Sequence, residues 1–458
     1  MAKEQKNNSM EKIVSLCKRR GFVFPGSEIY GGLANSYDYG PLGVELKNNI
    51  KNLWWKRFVH DRNDIVGIDA ALIMNPKVWE ASGHLDTFND PLVECKKCHH
   101  RFRADQIKAN PPSSATSVGT TAGQGKCPDC GGEITKPKQF NLMLKTFLGP
   151  VEDAENTVYF RPETAQAMFV DFKNVLTTSR KKIPFGIAQI GKAFRNEITP
   201  GNFIFRTREF EQMEIEYFTK EKDWEKTFEM WQKEMWKWMT DELGLDKKNI
   251  HELDVPENER AHYSKKTIDF EYDFPFGREE LYGLAYRTDF DLKNHFKEPP
   301  YEDAEAGEKF YPHVIEPTWG VDRSVLAVLC EAYTEEPASA ENGSGEARKD
   351  RVVLKLPAKL APYKVAVFPL LKNKPELVKK AQDIYHDLKK EFTVAFDDRG
   401  NIGKRYYSQD EIGTFKAVTV DFQTLDDNTV TVRDRDTMKQ ERIKISELSN
   451  LLKDRLNG

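Results

Sequence analysis

The sequence predicts an α+β protein with more than one domain. Its 458 residues exceed what a single hydrophobic core usually serves, so two or three domains are expected. Two strand-like segments, 187–197 and 206–217, flank a turn at Pro200 and Gly201, which predicts an antiparallel pair with a positive φ at the glycine. After residue 360, strand-like and helix-like segments alternate, which is typical of a mixed sheet flanked by helices.

The sequence argues against a membrane-spanning protein, a secreted protein and a protein that binds nucleic acid by bulk charge. Hydrophobic residues make up 39% of the chain and charged residues 31%, and no apolar run is long enough to span a membrane. Residues 1–20 lack the continuous apolar stretch of a secretion signal, so a cytoplasmic protein is expected. The 69 Lys and Arg against 73 Asp and Glu give a net charge of -4, which argues against nucleic-acid binding by bulk charge and leaves local patches for any RNA contact.

The N-terminal part is predicted to contain two helices. The first runs from about Met10 to Arg20. The second presents an apolar stripe at helical spacing, which indicates a face buried in a core rather than a cofactor site. The stripe consists of Leu46, Ile50, Leu53, Trp54 and Phe58.

Four of the six cysteines form a candidate metal site. They lie in two C-x-x-C pairs, CKKC and CPDC, and each pair can direct two thiolates at one zinc ion. The alternative is a set of structural cysteines without metal; disulfides are disfavoured in the expected compartment. The two pairs are Cys95 with Cys98 and Cys127 with Cys130, with a stretch of flexible composition at 111–125 between them, while Cys17 and Cys330 stand alone as ordinary thiols.

The segment 194–218 is predicted to collect charges on one face of the strand pair. Alternation places Met213, Ile215 and Tyr217 on the opposite face. A solvated polar face is the simplest reading of such a pattern, but fixed arginines are also what phosphate chemistry requires. The residues on the charged face are Arg195, Glu197, Arg206, Arg208, Phe210, Gln212 and Glu214.

Two charged residues fall in the first turn of predicted helices. Glu163 follows Pro162, where a carboxylate is favoured by the helix dipole, so capping alone explains it. Arg323 lies in the first turn of a helix that starts near Val321. A cation there is unfavourable by about 0.3–1 kcal/mol, and an anionic partner such as triphosphate would offset this cost. Four further acids are either solvated or available as oxygen ligands for Mg²⁺: Glu279, Glu280, Asp289 and Asp291.

Several of these segments together resemble one enzyme family. FRNE followed by FRTREFEQMEIEYF resembles motif 2 of class II aminoacyl-tRNA synthetases, in the form found in the dimeric glycyl-tRNA synthetases. RPETAQ and EPTWGVDRSVLAVLCEAY resemble the amino-acid-binding segment and motif 3 of the same family, and the region of the apolar stripe resembles motif 1. No G-x-x-x-x-G-K-[ST] loop is present.

The resemblance covers nearly the whole chain and implies a fold. The implied catalytic domain, residues 1–350, is an antiparallel sheet flanked by helices, with a zinc-ribbon-like insertion at 91–136 and an insertion region at 220–310. A linker at 335–350 leads to an α/β anticodon-binding domain at 360–458. The resemblance also implies a homodimer. In such a dimer, the apolar stripe of motif 1 is a candidate for the surface that a second copy covers.

The implied activity is ligation of glycine to tRNA(Gly) through a glycyl-adenylate, with ATP as substrate, Mg²⁺, and a structural Zn²⁺. By the resemblance, Arg195 holds the α-phosphate and the attacking carboxylate, Glu197 the edge of adenine, and Phe210 one of its faces. Arg323 takes the other face or the γ-phosphate. The full set of implied ATP residues is Arg195, Asn196, Glu197, Phe205, Arg206, Thr207, Arg208, Glu209, Phe210, Glu280, Leu281, Gly320, Val321, Asp322 and Arg323.

The resemblance implies that Glu163 and Glu214 grip the ammonium of glycine. Because glycine has no side chain, a filled pocket must reject larger amino acids by clash. Implied glycine residues are Arg103, Glu163, Phe210, Glu211, Gln212, Met213, Glu214, Glu316, Pro317, Thr318, Trp319 and Gly320.

The C-terminal domain is expected to contact RNA. Cations and rings that can stack on unpaired bases occur together at Lys404, Arg405, Tyr406 and Tyr407. Two alternatives to a glycine enzyme stay open: a non-catalytic RNA-binding paralogue with the same fold, and an enzyme of the same fold for another small amino acid such as alanine or serine.

Overall fold

The computed structural model describes residues 2–107, 126–303, 305–337 and 350–457. The predicted flexible stretch between the cysteine pairs and most of the predicted linker lie outside the described residues. Among the described residues, no helix combines the length and the apolar character that a membrane span requires.

The N-terminal three-quarters of the chain contains nine α-helices among the described residues. The first one begins earlier than predicted and the second continues into a π-helical turn, Lys56–His60. The helices are α1 (Ala2–Arg20), α2 (Pro41–Trp55), α3 (Pro76–Ala81), α4 (His84–Thr87), α5 (Ala165–Val170), α6 (Phe172–Ser179), α7 (Trp224–Lys237), α8 (Phe290–His295) and α9 (Val321–Ala332).

The strands of this part form one large sheet and several small ones. They are β1 (Val23–Pro25), β2 (Tyr37–Tyr39), β3 (Ile65–Gly67), β4 (Ile73–Met74), β5 (Asn89–Glu94), β6 (Arg101–Arg103), β7 (Lys138–Asn141), β8 (Lys145–Phe147), β9 (Thr157–Phe160), β10 (Phe185–Phe194), β11 (Glu209–Thr219), β12 (Ile250–Asp254), β13 (Lys266–Phe274), β14 (Gly277–Thr288), β15 (Tyr301–Asp303), β16 (Glu308–Phe310), β17 (His313–Gly320) and β18 (Tyr333–Glu336).

The central sheet has seven strands in the order β12-β13-β14-β17-β11-β10-β3. Every neighbouring pair is antiparallel except β10 with β3. This confirms the predicted antiparallel sheet flanked by helices. Strands β13 and β14 fall inside the predicted insertion region 220–310, so residues 266–288 belong to the sheet itself.

The connection between β10 and β11 is longer than predicted. The first strand ends at Phe194 and the second begins at Glu209, so the motif 2 arginines lie on a loop and not on the strands. The positive φ angles fall on Asn202 (55°) and Phe203 (58°), not on Gly201. Asparagine tolerates this conformation better than most residues, and a short 3₁₀ turn, Phe203–Phe205, uses the extra length.

The main hydrophobic core lies on one face of the central sheet. Strand β11 points Met213, Ile215 and Tyr217 into it, as predicted, and α2, α7 and α9 cover it. The ring of Trp54 lies 5.4 Å from that of Trp319 on β17, centroid to centroid. The apolar stripe of α2 is therefore largely buried within its own chain, and the expectation that a second copy covers it is wrong.

The C-terminal unit, residues 365–457, has a separate sheet and its own apolar core. Strand order is β21-β20-β22-β23-β24, with β20 parallel to both of its neighbours and the remaining pairs antiparallel, as a mixed sheet was predicted. A strand β19 (Arg351–Leu354), paired with β18, precedes the unit. Its elements are β20 (Val365–Pro369), α10 (Pro375–Leu388), β21 (Val394–Phe396), α11 (Ile402–Glu411), β22 (Lys416–Val420), α12 (Phe422–Asp427), β23 (Thr429–Asp434), β24 (Gln440–Lys444) and α13 (Leu448–Asn457).

Candidate active site

A cavity of about 480 Å³ lies over the second face of the central sheet. Its walls come from the β10–β11 loop, from β11, β13, β14 and β17, and from the start of α9, and this volume falls in the usual range of small-molecule sites. Eighteen of the predicted site residues line it: Arg103, Glu163, Arg195, Glu197, Phe205, Arg206, Thr207, Phe210, Glu211, Gln212, Glu214, Glu280, Leu281, Glu316, Thr318, Gly320, Asp322 and Arg323.

One part of the cavity, the basic end, is built around Arg195 and Arg323. The guanidinium of Arg195 lies 5.3 Å from the ring centroid of Phe210. That of Arg323 lies 4.5 Å from the ring centroid of Phe205 and donates to the backbone oxygen of Glu280 at 2.8 Å. Stacking on rings fixes both cations while leaving donor groups for an anion. The charge of Arg323, opposed by burial, also holds the pKa of the Glu280 carboxyl below its ordinary value.

The other part, the acidic end, is formed by Glu163, Glu214, Glu316 and Thr318. Glu163 and Glu214 are 8% and 2% exposed, so neither carboxylate is a solvated surface group. Thr318 donates its hydroxyl to Oε1 of Glu214 at 2.9 Å, and Gln166 donates to Oε1 of Glu163 at 3.0 Å. The solvated-face alternative is therefore excluded for Glu214. The prediction that Glu163 lies in the first turn of a helix is wrong, because α5 begins at Ala165.

The two ends adjoin through the backbone of Pro162. Nε of Arg195 donates to the Pro162 carbonyl oxygen at 3.0 Å, one residue before Glu163. A ligand with an anionic group at Arg195 can therefore reach the buried carboxylates with a cationic group nearby.

Arg287, on β14, is the buried cation of the acidic end, and it was not among the predicted site residues. Its side chain is fully buried and makes two hydrogen bonds of 2.8 Å to Asp291 and one of 2.6 Å to Glu316. Asp291, 1% exposed, is therefore neither solvated nor available to Mg²⁺, contrary to both readings of the sequence. A charged residue inside an apolar strand pattern would have been the only clue.

His84, at the start of α4, contacts the carboxylate of Glu163. Its Nε2 lies 3.4 Å from Oε2 of Glu163, and its Nδ1 lies 2.8 Å from the hydroxyl oxygen of Ser82. Burial alone would raise the pKa of Glu163, but the charge and hydrogen bond of His84, followed by Arg287, lower it overall. Burial and the charge of Glu163 raise the pKa of Glu214. The two carboxyls of the acidic end therefore differ, since the pKa of Glu163 is lowered and that of Glu214 is raised.

Seven predicted residues are not brought to the cavity. Side chains of Met213, Trp319 and Val321 lie in the main hydrophobic core. Alternation turns Met213 and Trp319 to that face of the sheet, and Val321 is the first residue of α9, which covers it. The remaining four do not line the cavity either: Asn196, Arg208, Glu209 and Pro317. Arg208 and Glu209 line a neighbouring cavity of about 320 Å³, because the loop turns them away.

Two predicted residues reach the cavity with their charges already paired. Asp322 lies 3.0 Å from Nζ of Lys47 and accepts the backbone N–H of Glu211 at 2.8 Å. The Glu211 carboxylate also lies 3.0 Å from Nζ of Lys47 and 3.1 Å from that of Lys51. These acids brace α2 and α9 against β11.

The four paired cysteines converge as predicted. Sγ of Cys95 lies 3.5 Å from that of Cys130, and Sγ of Cys98 lies 3.6 Å from that of Cys127, with all four sulfurs within 4.8 Å of one another. A zinc ion about 2.3 Å from each sulfur sets neighbouring sulfurs about 3.8 Å apart, so this donor set fits a tetrahedral zinc. The same small sheet carries Arg103, on β6, to the cavity wall, where it contacts Asp90 at 2.8 Å.

The predicted RNA-binding group is only partly available. Arg405 is 2% exposed and donates to backbone oxygens of the 398–400 loop and of Pro369, so its role is structural and its predicted RNA contact is wrong. Tyr406 is held by Thr419 at 2.6 Å between the two hydroxyl oxygens. Lys404 and Tyr407 are exposed.

Comparison with known proteins agrees with this architecture. Residues 149–333 match the family model of the tRNA synthetase class II core domain (G, H, P, S and T), and residues 364–455 match that of the anticodon binding domain. The antiparallel sheet, its cavity and these two matches define a class II aminoacyl-tRNA synthetase.

Relatives narrow the class further. The chain is 51% identical to the glycine–tRNA ligase of Alkaliphilus oremlandii, over 98% of both chains. It is 52% identical to those of Clostridium acetobutylicum and Streptomyces coelicolor, over 98% of this chain and 99% of each relative. The chain belongs to the glycine–tRNA ligase family.

Proposed function

We propose that this chain activates glycine with ATP and transfers the glycyl group to the 3′ end of tRNA(Gly). In the first step the glycine carboxylate attacks the α-phosphate, a P–O bond forms, and pyrophosphate leaves. In the second a ribose hydroxyl of the tRNA attacks the glycyl carbonyl and AMP leaves. The observation that carries the proposal is the hydrogen bond from Arg195 to Pro162, which joins the basic end to the acidic end.

Catalysis at the basic end requires no side-chain nucleophile, because both attacking groups belong to substrates. Arg195 stabilises the charge that develops on the α-phosphate and orients the attacking carboxylate. Arg323 neutralises the γ-phosphate or covers one face of adenine. Of the four predicted oxygen ligands, Glu280 lines the cavity and would hold Mg²⁺, which would offset part of the charge of the triphosphate.

Recognition of adenine falls to Glu197 and Phe210. Buried Oε2 of Glu197 has no hydrogen-bond partner among the described residues, which supports a role as acceptor for a nucleotide amino group. Phe210 offers a ring face for adenine, and the guanidinium of Arg195 lies 5.3 Å from the centroid of this ring.

The acidic end binds the ammonium of glycine. Glu163 and Glu214 supply charge, while Thr318 and Thr164 fix the second carboxylate through both of its oxygens. The walls are buried and already hydrogen-bonded, so they cannot move aside for a methyl group on the α-carbon. Alanine and serine are therefore rejected by clash.

We also propose a homodimer, whose interface is formed by a surface other than the apolar stripe of α2. Between β1 and β2, Ile29, Tyr30 and Leu33 are 88%, 86% and 68% exposed. Such a concentration of exposed apolar side chains favours a protein partner, and a second copy of the chain is the partner expected from the resemblance.

The remaining roles follow the division into domains. The C-terminal unit, with its exposed Lys404 and Tyr407, contacts the anticodon end of tRNA(Gly), and the range 360–458 is the proposed anticodon-binding domain. Residues 1–350 form the proposed catalytic domain in the cytoplasm, and the four cysteines hold a structural zinc.

The experiment that tests the proposal is exchange of pyrophosphate into ATP, measured with each of the twenty amino acids. Glycine alone is expected to support exchange. Exchange with alanine or serine would favour an enzyme for another small amino acid, and no exchange with any amino acid would favour a non-catalytic paralogue.

A further inference from the structure

Glu216, on β11, lies beneath the acidic end and has no role in the proposed chemistry. It is 0% exposed, and neither of its carboxyl oxygens has a hydrogen-bond partner among the described residues. One carboxylate oxygen from each of Glu214, Glu216 and Glu316 lies within 4.8 Å of the other two. Three ionised carboxylates at these distances, out of water, would repel one another strongly.

The strand register sets this crowding. Glu214 pairs with Thr318 and Tyr217 with Ile315, which puts Glu216 beside Glu316 on the neighbouring strand β17. Like charges directly opposite each other on adjacent strands destabilise a sheet, and here both carboxyl groups are buried, so solvent screens them little. On the other side, β10 offers Ile187 opposite Glu216, which provides no charge and no donor.

Among the described residues that face Glu216, no free cation balances its charge. The charged groups are Glu214 on β11, Glu316 on β17, Asp291 on α8 and Arg287 on β14. Arg287 already donates to Asp291 twice and to Glu316 once. The side chain of α5 nearest this network, Gln166, donates to Glu163 and Asp291.

We infer that Glu216 is held as a neutral carboxylic acid that donates its proton to Glu316, and that it acts as a positioning residue for the acidic end. The inference rests on the proposed function and deepens it. A proton on Glu216 gives one of its oxygens a partner and removes one of the three clustered charges. Burial raises the pKa of both Glu216 and Glu316 well above the ordinary value. The proton belongs on Glu216, because Glu316 accepts from Arg287 at 2.6 Å and Glu216 has no cationic partner among the described residues.

Neutrality matters because both reacting groups are anionic. The glycine carboxylate must approach the α-phosphate of ATP next to this cluster, and each further negative charge opposes that approach. With Glu216 neutral and Glu316 paired to Arg287, the charges left to meet the ammonium are those of Glu163 and Glu214. The sheet thus provides a donor that keeps Glu316 in place without adding charge.

Two variants of the full chain distinguish a hydrogen-bond donor at position 216 from an ionised carboxylate and from a side chain that only fills space. Glu216→Gln is neutral and keeps a donor, whereas Glu216→Leu is neutral, has similar size and lacks the donor. We expect Glu216→Leu to raise KM for glycine about tenfold through the lost hydrogen bond, with KM for ATP little changed. We expect Glu216→Gln to restore KM to within about threefold of the parent, because it supplies the same donor.

The charge itself is measured by infrared difference spectroscopy of the parent chain against Glu216→Gln at neutral pH. Loss of a protonated-carboxyl C=O band that shifts in D₂O supports the inference. Loss of ionised-carboxylate bands overturns it, as would be the case if the three carboxylates held a metal cation.

The spectroscopic result does not depend on activity. A parent chain without glycine-dependent exchange would end the proposed function, yet the spectrum would still report the proton on Glu216. If Glu216→Leu fails to fold, the spectrum and Glu216→Gln decide alone. A Glu216→Gln variant with a KM raised a hundredfold in a folded chain would overturn the inference.

Discussion

The basic and acidic ends of one cavity are built in opposite ways. At the basic end, Arg195 and Arg323 are only partly buried and lie against aromatic rings. At the acidic end the carboxylates are at most 8% exposed and are held by hydroxyl, amide and imidazole groups. An open site with stacked cations suits a large anion that must enter and leave, whereas a closed site with fixed acids suits selection by size.

The largest expected effect is at the basic end. Arg195→Ala removes the cation that faces the developing charge, and we expect glycine-dependent exchange to fall by about 10²–10³-fold or more. The chain should remain folded, because Arg195 is only partly buried and its side chain donates to one backbone oxygen among the described residues, that of Pro162 at 3.0 Å. Arg278→Ala, at an exposed arginine on β14, is the matched control, and near-normal exchange in Arg195→Ala would refute the assignment.

A smaller effect, confined to glycine, is expected at the acidic end. Glu163→Gln keeps the shape but removes the charge, so KM for glycine should rise by about 10–100-fold, the value of one charge-assisted hydrogen bond. KM for ATP should stay near that of the parent. Glu279→Gln, at an exposed carboxylate on β14, serves as control, and an equal loss for both substrates would show that the two ends are not distinct.

The ribbon should affect the cavity through Arg103. Cys98→Ser removes one proposed zinc ligand and loosens the small sheet that carries Arg103, so we expect loss of one bound zinc per chain and a rise of about threefold to tenfold in KM for substrates. Cys330→Ser, at a cysteine outside the cluster, is the comparison variant. Full activity in a metal-free Cys98→Ser chain would separate the ribbon from the cavity.

The smallest effect concerns stability in acid. The folded-state pKa of Glu163 is lowered below its ordinary 4.5, so its ionised form stabilises the fold above that pH and the contribution is lost as pH falls further. Between about pH 5 and pH 3, the parent should lose roughly 1–2 kcal/mol more free energy of unfolding than Glu163→Gln. His84→Gln should lie between them in denaturant titrations, and parallel curves for all three chains would contradict the proposed support by His84.

Sequence reasoning predicted the basic end better than the acidic end. FRNE and the start of α9 carry their chemistry in short motifs, so Arg195 and Arg323 were both found. Arg287 and His84 lie outside the motifs, and Glu216 lies within motif 2 but was not assigned a role. Their burial depends on how distant elements pack together, which no local pattern reveals. Arg405 was also misread, because backbone oxygens of Pro369 and Asp398 accept its hydrogen bonds inside the fold.

The fold was predicted in outline and missed in its connections. Alternation correctly put Met213 and Ile215 in the core, but it extended the strand pair through residues that form the loop between Phe194 and Glu209. The stripe on α2 was correct as a helix face, while its partner, Trp319, comes from a strand far away in sequence.

The most direct test is a crystal structure of the chain with a non-hydrolysable glycyl-adenylate analogue. We expect the group that replaces the phosphate to contact Arg195, and the ammonium to lie between Glu163 and Glu214. A bound analogue whose ammonium points away from these carboxylates, or whose phosphate mimic lies apart from Arg195, would contradict this expectation.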